Sequence, residues 1–252
     1  MYPSSLIVLD NGTALAAQAA EFIARAAHQA VQERGRFMLA LAGGKTPEET
    51  YRHLAEPQQV SAMPWENTHL FFGDERFVPP DDQRSNFATV RRTLLAGVPI
   101  PADQVHPVPT TLGSAAEAAA AYSEELARHF TACERTPPRF DLILLGLGED
   151  GHTAGLFPHA PVLRITNEWV TWSPPGKLPP PVDRITFTYP VLNASRSVLF
   201  LVCGAKKAAV LRDVLEERRR PAQRPAAGVK PQRGSLTWMV DEEAAQMLTC
   251  RA

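Results

Sequence analysis

Cysteine is scarce in this chain: Cys133, Cys203 and Cys250 are the three it has, they stand far apart, and no Cys-x-x-Cys pair occurs. That argues against a disulfide framework and a structural zinc cluster, and it makes a reducing cytoplasm the expected compartment. An excess of one charge is lacking too. Lys plus Arg number 26 against 27 Asp plus Glu, a formal net charge of -1, so no global field draws the molecule to nucleic acid or to an anionic membrane. Any anion must be bound by a local site. No uninterrupted apolar stretch approaches the roughly 20 residues of a membrane-spanning helix. The start, Met1-Tyr2-Pro3-Ser4-Ser5 running into four apolar residues, has neither a basic leader nor a signal-length apolar core, so no export signal is expected.

What is present is a 44% hydrophobic content, enough for a packed core in one large α/β domain or two small ones. Short β-rich runs alternate with Ala-rich segments of helical period. Strands are predicted at 6–9, 37–41, 69–72, 140–145, 185–189, 198–203 and 236–240. Helices are predicted at 13–33, 47–54, 86–95, 115–131 and 205–217. The rhythm is that of strand–helix–strand units, and it predicts a mainly parallel sheet with helices on both faces in a single α/β domain over residues 1–252. The basic run Arg218-Arg219-Arg220 ends a helical pattern before Pro221. Cations at a helix C-terminus explain it better than a nucleic-acid patch. The Pro-rich stretch 173–182 reads as a stiffened loop.

Three segments carry chemistry. In the first, the strand ending Leu39-Ala40-Leu41 runs into Ala42-Gly43-Gly44-Lys45-Thr46-Pro47. Glycines admit a ligand close to the backbone, Thr46 can cap, Pro47 suits the first helical turn, and free amides at a helix start face an anion. A Walker loop is excluded, because Leu39 stands where its first glycine belongs. An ordinary tight turn is the plain alternative. In the second, Phe71-Phe72 precedes Gly73-Asp74-Glu75-Arg76-Phe77-Val78-Pro79, with Ser85-Asn86 following. Three charges directly after an apolar strand lie where open α/β sheets place ligands, although a solvated loop with a local ion pair would look alike. Ser85 reads as a helix cap and not as a nucleophile.

In the third, Phe140-Asp141-Leu142-Ile143-Leu144-Leu145 empties into Gly146-Leu147-Gly148-Glu149-Asp150-Gly151-His152. A histidine two residues from an aspartate on a glycine-rich loop at a strand end suits proton transfer near neutral pH. Gly146, Gly148 and Gly151 also match a dinucleotide fingerprint, with Glu168 near the ribose-binding spacing. Glu149 and Asp150 would set negative charge beside a pyrophosphate, which disfavours that reading. No His-x-x-x-His or Cys cluster indicates a metal, and no cofactor is expected.

In this order the segments resemble the 6-phosphogluconolactonase family, relatives in fold of glucosamine-6-phosphate deaminases and sugar-phosphate isomerases. The family's Gly-Gly-Ser-Thr-Pro resembles Gly43-Gly44-Lys45-Thr46-Pro47, and Gly73-Asp74-Glu75-Arg76-Phe77-Val78-Pro79 matches its second motif in full. Asp150-Gly151-His152-Thr153-Ala154-Gly155-Leu156-Phe157-Pro158 matches its third. The likeness continues at Arg184-Ile185-Thr186-Phe187-Thr188, at Gly204-Ala205-Lys206-Lys207-Ala208 and at Leu236-Thr237-Trp238-Met239-Val240-Asp241. Lys45 departs from the usual serine, losing a hydroxyl contact and adding a cation.

The resemblance implies hydrolysis of a six-carbon sugar-phosphate lactone in the pentose phosphate pathway, without a metal. It implies that Gly43, Gly44, Lys45, Thr46, Gly148, Arg184 and Lys207 hold the substrate and its phosphate. His152 would act as general base and Asp150 would orient it. Arg76 would stabilise the oxyanion, and Asp74 and Glu75 would fix Arg76 or bind sugar hydroxyls. A small-molecule sugar phosphate is the expected partner, with no nucleic acid or membrane, for a monomer or weak homodimer. Two alternatives stand beside this reading. One is an isomerase or deaminase of the same fold, against which the Gly-Asp-Glu-Arg motif speaks. The other is a sugar-phosphate sensor, which would normally carry a helix-turn-helix module for which the α/β pattern leaves no room.

Overall fold

The computed structural model describes residues 4–130, 136–217 and 219–249. Cys133, Cys250, Arg218, Thr131 and the three residues before Ser4, on which sequence expectations rest, lie outside the described residues.

The chain builds a six-stranded sheet from β1 (Ser4–Leu9), β2 (Phe37–Leu41), β3 (Thr68–Phe72), β5 (Leu142–Leu145), β8 (Ser197–Val202) and β9 (Ser235–Asp241). Its spatial order is β1-β9-β8-β5-β2-β3, and every neighbouring pair is parallel. Parallel pairing requires a crossover between partners, and the crossovers cover the faces. Accordingly β2 and β5 are buried at every residue.

The helices are α1 (Gly12–Arg34), α2 (Lys45–Leu54), α3 (Pro57–Val60), α4 (Asn86–Val90), α5 (Ala115–His129), α6 (Tyr189–Ala194), α7 (Ala208–Leu215) and α8 (Glu242–Ala245). In α1 the buried positions Leu15, Ala16, Ala19, Ala20, Ile23, Ala24, Ala27 and Ala30 form one stripe of helical period, mostly small side chains that allow close approach. Asn11 caps its start by accepting from the amides of Thr13 and Ala14, and Gly35 at φ 75 ends it in the left-handed conformation that glycine tolerates.

Sequence expectation and structure part at four places. The strand expected at 185–189 is β7 (Arg184–Phe187), and it does not join the parallel sheet. It pairs antiparallel with β4 (Asp74–Arg76) and β6 (Val170–Ser173) in a separate three-stranded sheet. The charged triplet after β3 is therefore a strand and not a loop. The helix expected at 86–95 is α4 continued by one π-helical turn over Arg91–Leu95. The one expected at 205–217 opens as a 3-10 turn over Ala205–Lys207, and α7 ends at Leu215, so Arg219 and Arg220 lie beyond the helix end instead of completing it. Among the described residues no helix is long and apolar enough to cross a membrane.

Candidate active site

The carboxyl ends of β2, β3, β5 and β8 deliver the segments that sequence analysis singles out, as open parallel sheets do with ligand sites. At the end of β2, the Tyr51 hydroxyl donates to Ala42 O at 2.7 Å and accepts from Ala42 N at 2.9 Å. The strand's last backbone groups are thus satisfied from α2, and the chain can turn. Gly44, at φ 109, is the N-cap of α2, and no side chain caps it. Thr46, expected to cap, lies one residue inside the helix because the glycine turn starts the helix earlier. The amides of Lys45 and Thr46 belong to the first turn, where a helix leaves its N–H groups unpaired and attractive to an anion. Lys45 itself is exposed.

β4 is charged at all three of its residues, and β7 begins with Arg184. Asp74 opposes Thr186, and Arg76 opposes Arg184. Directly opposed residues share a face, so Asp74, Arg76, Arg184 and Thr186 stand on one side of the small sheet and Glu75 on the other. Glu75 is 1% exposed. Its carboxylate accepts from the backbone amides of Arg76, Asn86 and Phe87, each at 2.7 Å, and from the Ser85 hydroxyl at 3.0 Å. Ser85 in turn caps α4 by accepting from Ala88 N. Glu75, expected among the catalytic group, is thereby turned from it and pins the start of α4. Burial pushes its carboxyl up, against the opposing pull of those amides.

On the other face Arg184 is 6% exposed and faces Asp74 at 3.5 Å. Burial lowers its guanidinium to about 10, with Asp74 opposing and Arg76 adding to the shift, which leaves it charged at neutral pH. Arg76 is anchored by donating to Arg84 O at 2.7 Å.

The loop after β5 is docked onto this face. Gly155 N donates to Thr186 Oγ1 at 2.9 Å, and a side chain at Gly155 would collide with Thr186 and Arg184. Ala154, in the same tight turn, has φ 48, a strained value for a residue with a side chain. His152 Nδ1 lies 2.6 Å from Asp150 Oδ1, which also accepts from His152 N at 3.0 Å. Burial would raise the Asp150 carboxyl, but its bonds to His152 and the imidazole charge outweigh it and hold it below the usual aspartate value. With Nδ1 committed to Asp150, Nε2 is the nitrogen available for proton transfer.

Phe157 sits beside the His152 ring, with centroids 5.0 Å apart, and 6.0 Å from the Arg184 guanidinium. It therefore joins imidazole to cation. Half-buried Lys207, on the turn after β8, has its ammonium lowered by burial, while Glu149 and Asp150 act to raise it. Lys206, its neighbour, is exposed. Asp241 holds that turn by accepting from Gly204 N at 2.9 Å, and Cys203 Sγ donates to it at 2.7 Å.

Three residues of this neighbourhood were not expected. Asn86 lies so close to Gly43 that a Cβ there would fall 1.9 Å from its Oδ1. Its Nδ2 donates to Asp74 O at 2.8 Å, while buried Oδ1 has no protein partner. The Ser85-Asn86 pair in the second motif was the available signal. Arg224 pairs with Asp213 at 2.7 Å, packs against Gly151 and donates to Asp150 O at 3.3 Å. It clamps the histidine loop from behind, and nothing local in the sequence marks it. Lys177, from the Pro-rich loop, joins Asp150, Phe157, Arg219 and Arg224 around a cavity of about 460 Å³.

A family model for glucosamine-6-phosphate isomerases/6-phosphogluconolactonase matches residues 10–238. The chain belongs to that family. Among its lactonase-named relatives, the 6-phosphogluconolactonase of Synechocystis sp. is 42% identical over 220 residues, covering 87% of this chain and 88% of the relative. That of Homo sapiens is 39% identical over 252 residues, covering 98% and 95%. The solved 6-phosphogluconolactonase from Trypanosoma cruzi superposes with a TM-score of 0.88 at 29% identity, covering 99% of this chain and 98% of the other. The glucosamine-6-phosphate isomerase/6-phosphogluconolactonase fold thus accounts for both the parallel sheet and the small antiparallel one beside it.

Gly148 is the tightest point of the loop. A Cβ there would lie 2.0 Å from His152 Nδ1, so Gly148→Ala must push the ring off Asp150. A misplacement of about 1 Å costs on the order of 100-fold, and a loss of kcat on that scale, with the melting temperature close to wild type, is the result expected from steady-state assay and calorimetry.

Proposed function

We propose that the chain hydrolyses 6-phospho-D-glucono-1,5-lactone to 6-phosphogluconate in the oxidative pentose phosphate pathway. The observation that carries this reading is the His152–Asp150 pair at 2.6 Å, on a loop docked through Gly155 against the sheet face that bears Arg76 and Arg184. Relatives that bear the lactonase name support it.

In this scheme His152 Nε2 removes a proton from water as the oxygen attacks the lactone carbonyl. The Arg76 guanidinium stabilises the developing oxyanion. Collapse breaks the bond from the carbonyl carbon to the ring oxygen, and imidazolium His152 returns its proton there. The new carboxylic acid then ionises to solvent. Asp150 holds the ring and supports its transient charge. At the far end Arg184, Lys207, Gly43, Gly44, Thr46 and Lys45 grip the phosphate, while Gly148 gives the imidazole room and Asp74 steadies Arg184. The lactone carbonyl is already electrophilic, so acid–base chemistry from the protein suffices. We read residues 1–252 as one domain, supported by a core that includes Leu15 and Leu248. It acts in the cytoplasm as a monomer or weak homodimer on a small-molecule substrate.

The test is stopped-flow proton release after mixing with freshly made 6-phosphoglucono-lactone, with fructose 6-phosphate and glucosamine 6-phosphate as controls. Acid release above the spontaneous rate with the lactone alone is expected. Ammonia from glucosamine 6-phosphate would establish the deaminase reading, and binding without turnover of any of the three would establish a sensor.

A further inference from the structure

Away from this pocket, three histidines far apart in the chain meet at an edge of the parallel sheet. His69 is the second residue of β3, the edge strand. His106 follows the 3-10 turn at Ala102–Gln104 and is laid along β3 by donating its N–H to Leu70 O at 2.9 Å. His129 is the last residue of α5. His69 Nδ1 lies 3.1 Å from His106 Nε2. One nitrogen from each of the three rings falls within 4.8 Å of the other two.

Glu125, one helical turn before His129, organises the group. Its Oε1 lies 2.8 Å from His106 Nδ1 and 3.0 Å from His129 Nε2. A carboxylate only accepts, so both nitrogens carry protons toward it. The lone pairs are then left on His106 Nε2, which is the atom facing His69, and on His129 Nδ1. A carboxylate that fixes the tautomer from behind is the usual outer partner of metal-bound histidine. Phe71 stacks on His106 with centroids 4.3 Å apart and walls the group on one side. His106 is 4% exposed, and the other two rings are half-buried.

Charge around the group is nearly balanced. Arg128 pairs with the second oxygen of Glu125 at 2.5 Å, Arg36 donates to His129 O at 2.9 Å, and Asp103 acts on both His69 and His106. Burial, then the neighbouring imidazoles, lower His69 to about 4, and burial lowers His106 as well.

We infer that His69, His106 and His129 form a binding site for a divalent transition metal of the zinc and nickel class, which ties the edge strand to the end of α5. Nitrogen-only imidazole donors select that class over magnesium or calcium. Zinc–nitrogen bonds of about 2.0–2.1 Å in tetrahedral geometry place ligand nitrogens roughly 3.3 Å apart. The pair His69 and His106 already stands at 3.1 Å, and one nitrogen of each ring lies within 4.8 Å of the others, so a small closing movement would complete the set. The role is structural, because the catalytic loops leave the opposite ends of the strands.

The experiment uses the full chain, stripped with a chelator and titrated with Zn²⁺ by calorimetry, thermal melting and, with Co²⁺ as stand-in, visible absorption. Saturable binding of one ion per chain is expected. At a hundredfold excess over Kd, a rise in Tm on the order of 5–10 °C should accompany it. His69→Gln and His129→Gln should each abolish the Tm rise and the cobalt spectrum, with lactonase turnover and far-UV circular dichroism unchanged. His152→Asn should bind the metal as wild type does. Absence of zinc binding by the wild type at millimolar concentration would overturn the assignment. So would wild-type binding by either glutamine variant, or loss of binding in His152→Asn.

Discussion

Replacing His152 by asparagine is expected to lower kcat for the lactone by ~100- to 10,000-fold, the usual contribution of a positioned general acid–base group. The argument rests on what the substitution leaves alone. Asp150 Oδ1 keeps the backbone amide of His152 as a donor at 3.0 Å, so the carboxylate is not orphaned. The side chain is 22% exposed, so no core cavity opens and Tm should stay near wild type. The cations proposed to hold the phosphate stand on β7 and on the turn after β8, so KM should hardly move. Steady-state kinetics with fresh lactone, corrected for spontaneous hydrolysis, provides the check. Wild-type turnover in the variant would reject the general-base role, and a large rise in KM would transfer His152 to substrate binding.

Arg184→Met should act on two properties at once. Removing one member of a buried ion pair leaves Asp74 uncompensated, and such losses run to about 3–5 kcal/mol. The urea midpoint should fall accordingly. A phosphate contact from a charged donor is worth about 1.5–3 kcal/mol, which corresponds to a rise in KM of roughly 10- to 100-fold. The two effects separate in the double variant Arg184→Met with Asp74→Asn. Neutralising Asp74 removes the unpaired charge, while the backbone contact from Asn86 to Asp74 O survives. Stability should return most of the way, and KM should remain high. A wild-type KM in the double variant would show that Arg184 is a scaffold cation and not a phosphate ligand.

The parts of the site that were legible in sequence are those encoded within a few neighbouring residues. The glycine turn after β2, the histidine loop after β5 and the Ser85 cap are local, because strand end, turn and helix start follow one another directly. The face that Glu75 takes was not legible. Three charges after an apolar strand read as a loop, whereas their alternation becomes visible only when β7, more than a hundred residues later, pairs with them. The Arg224–Asp213 clamp was hidden for a related reason: Arg224 stands in a loop whose composition marks only a turn. The same limit applies to metal ligands. A search for closely spaced histidines passes over His69, His106 and His129, which a strand, a turn and a helix end bring together from separate parts of the chain.

The shortness of β4 has an evolutionary consequence. Its three side chains alternate between a polar mouth and a packed interior, and adding or removing a single residue in that stretch would swap the two sides. Arg76 would enter the interior in place of Glu75, α4 would lose its anchor, and the carboxylate would be thrust onto the face that bears Arg184. An inserted or deleted residue should therefore be tolerated far better in the loop 174–182 than between Gly73 and Pro79.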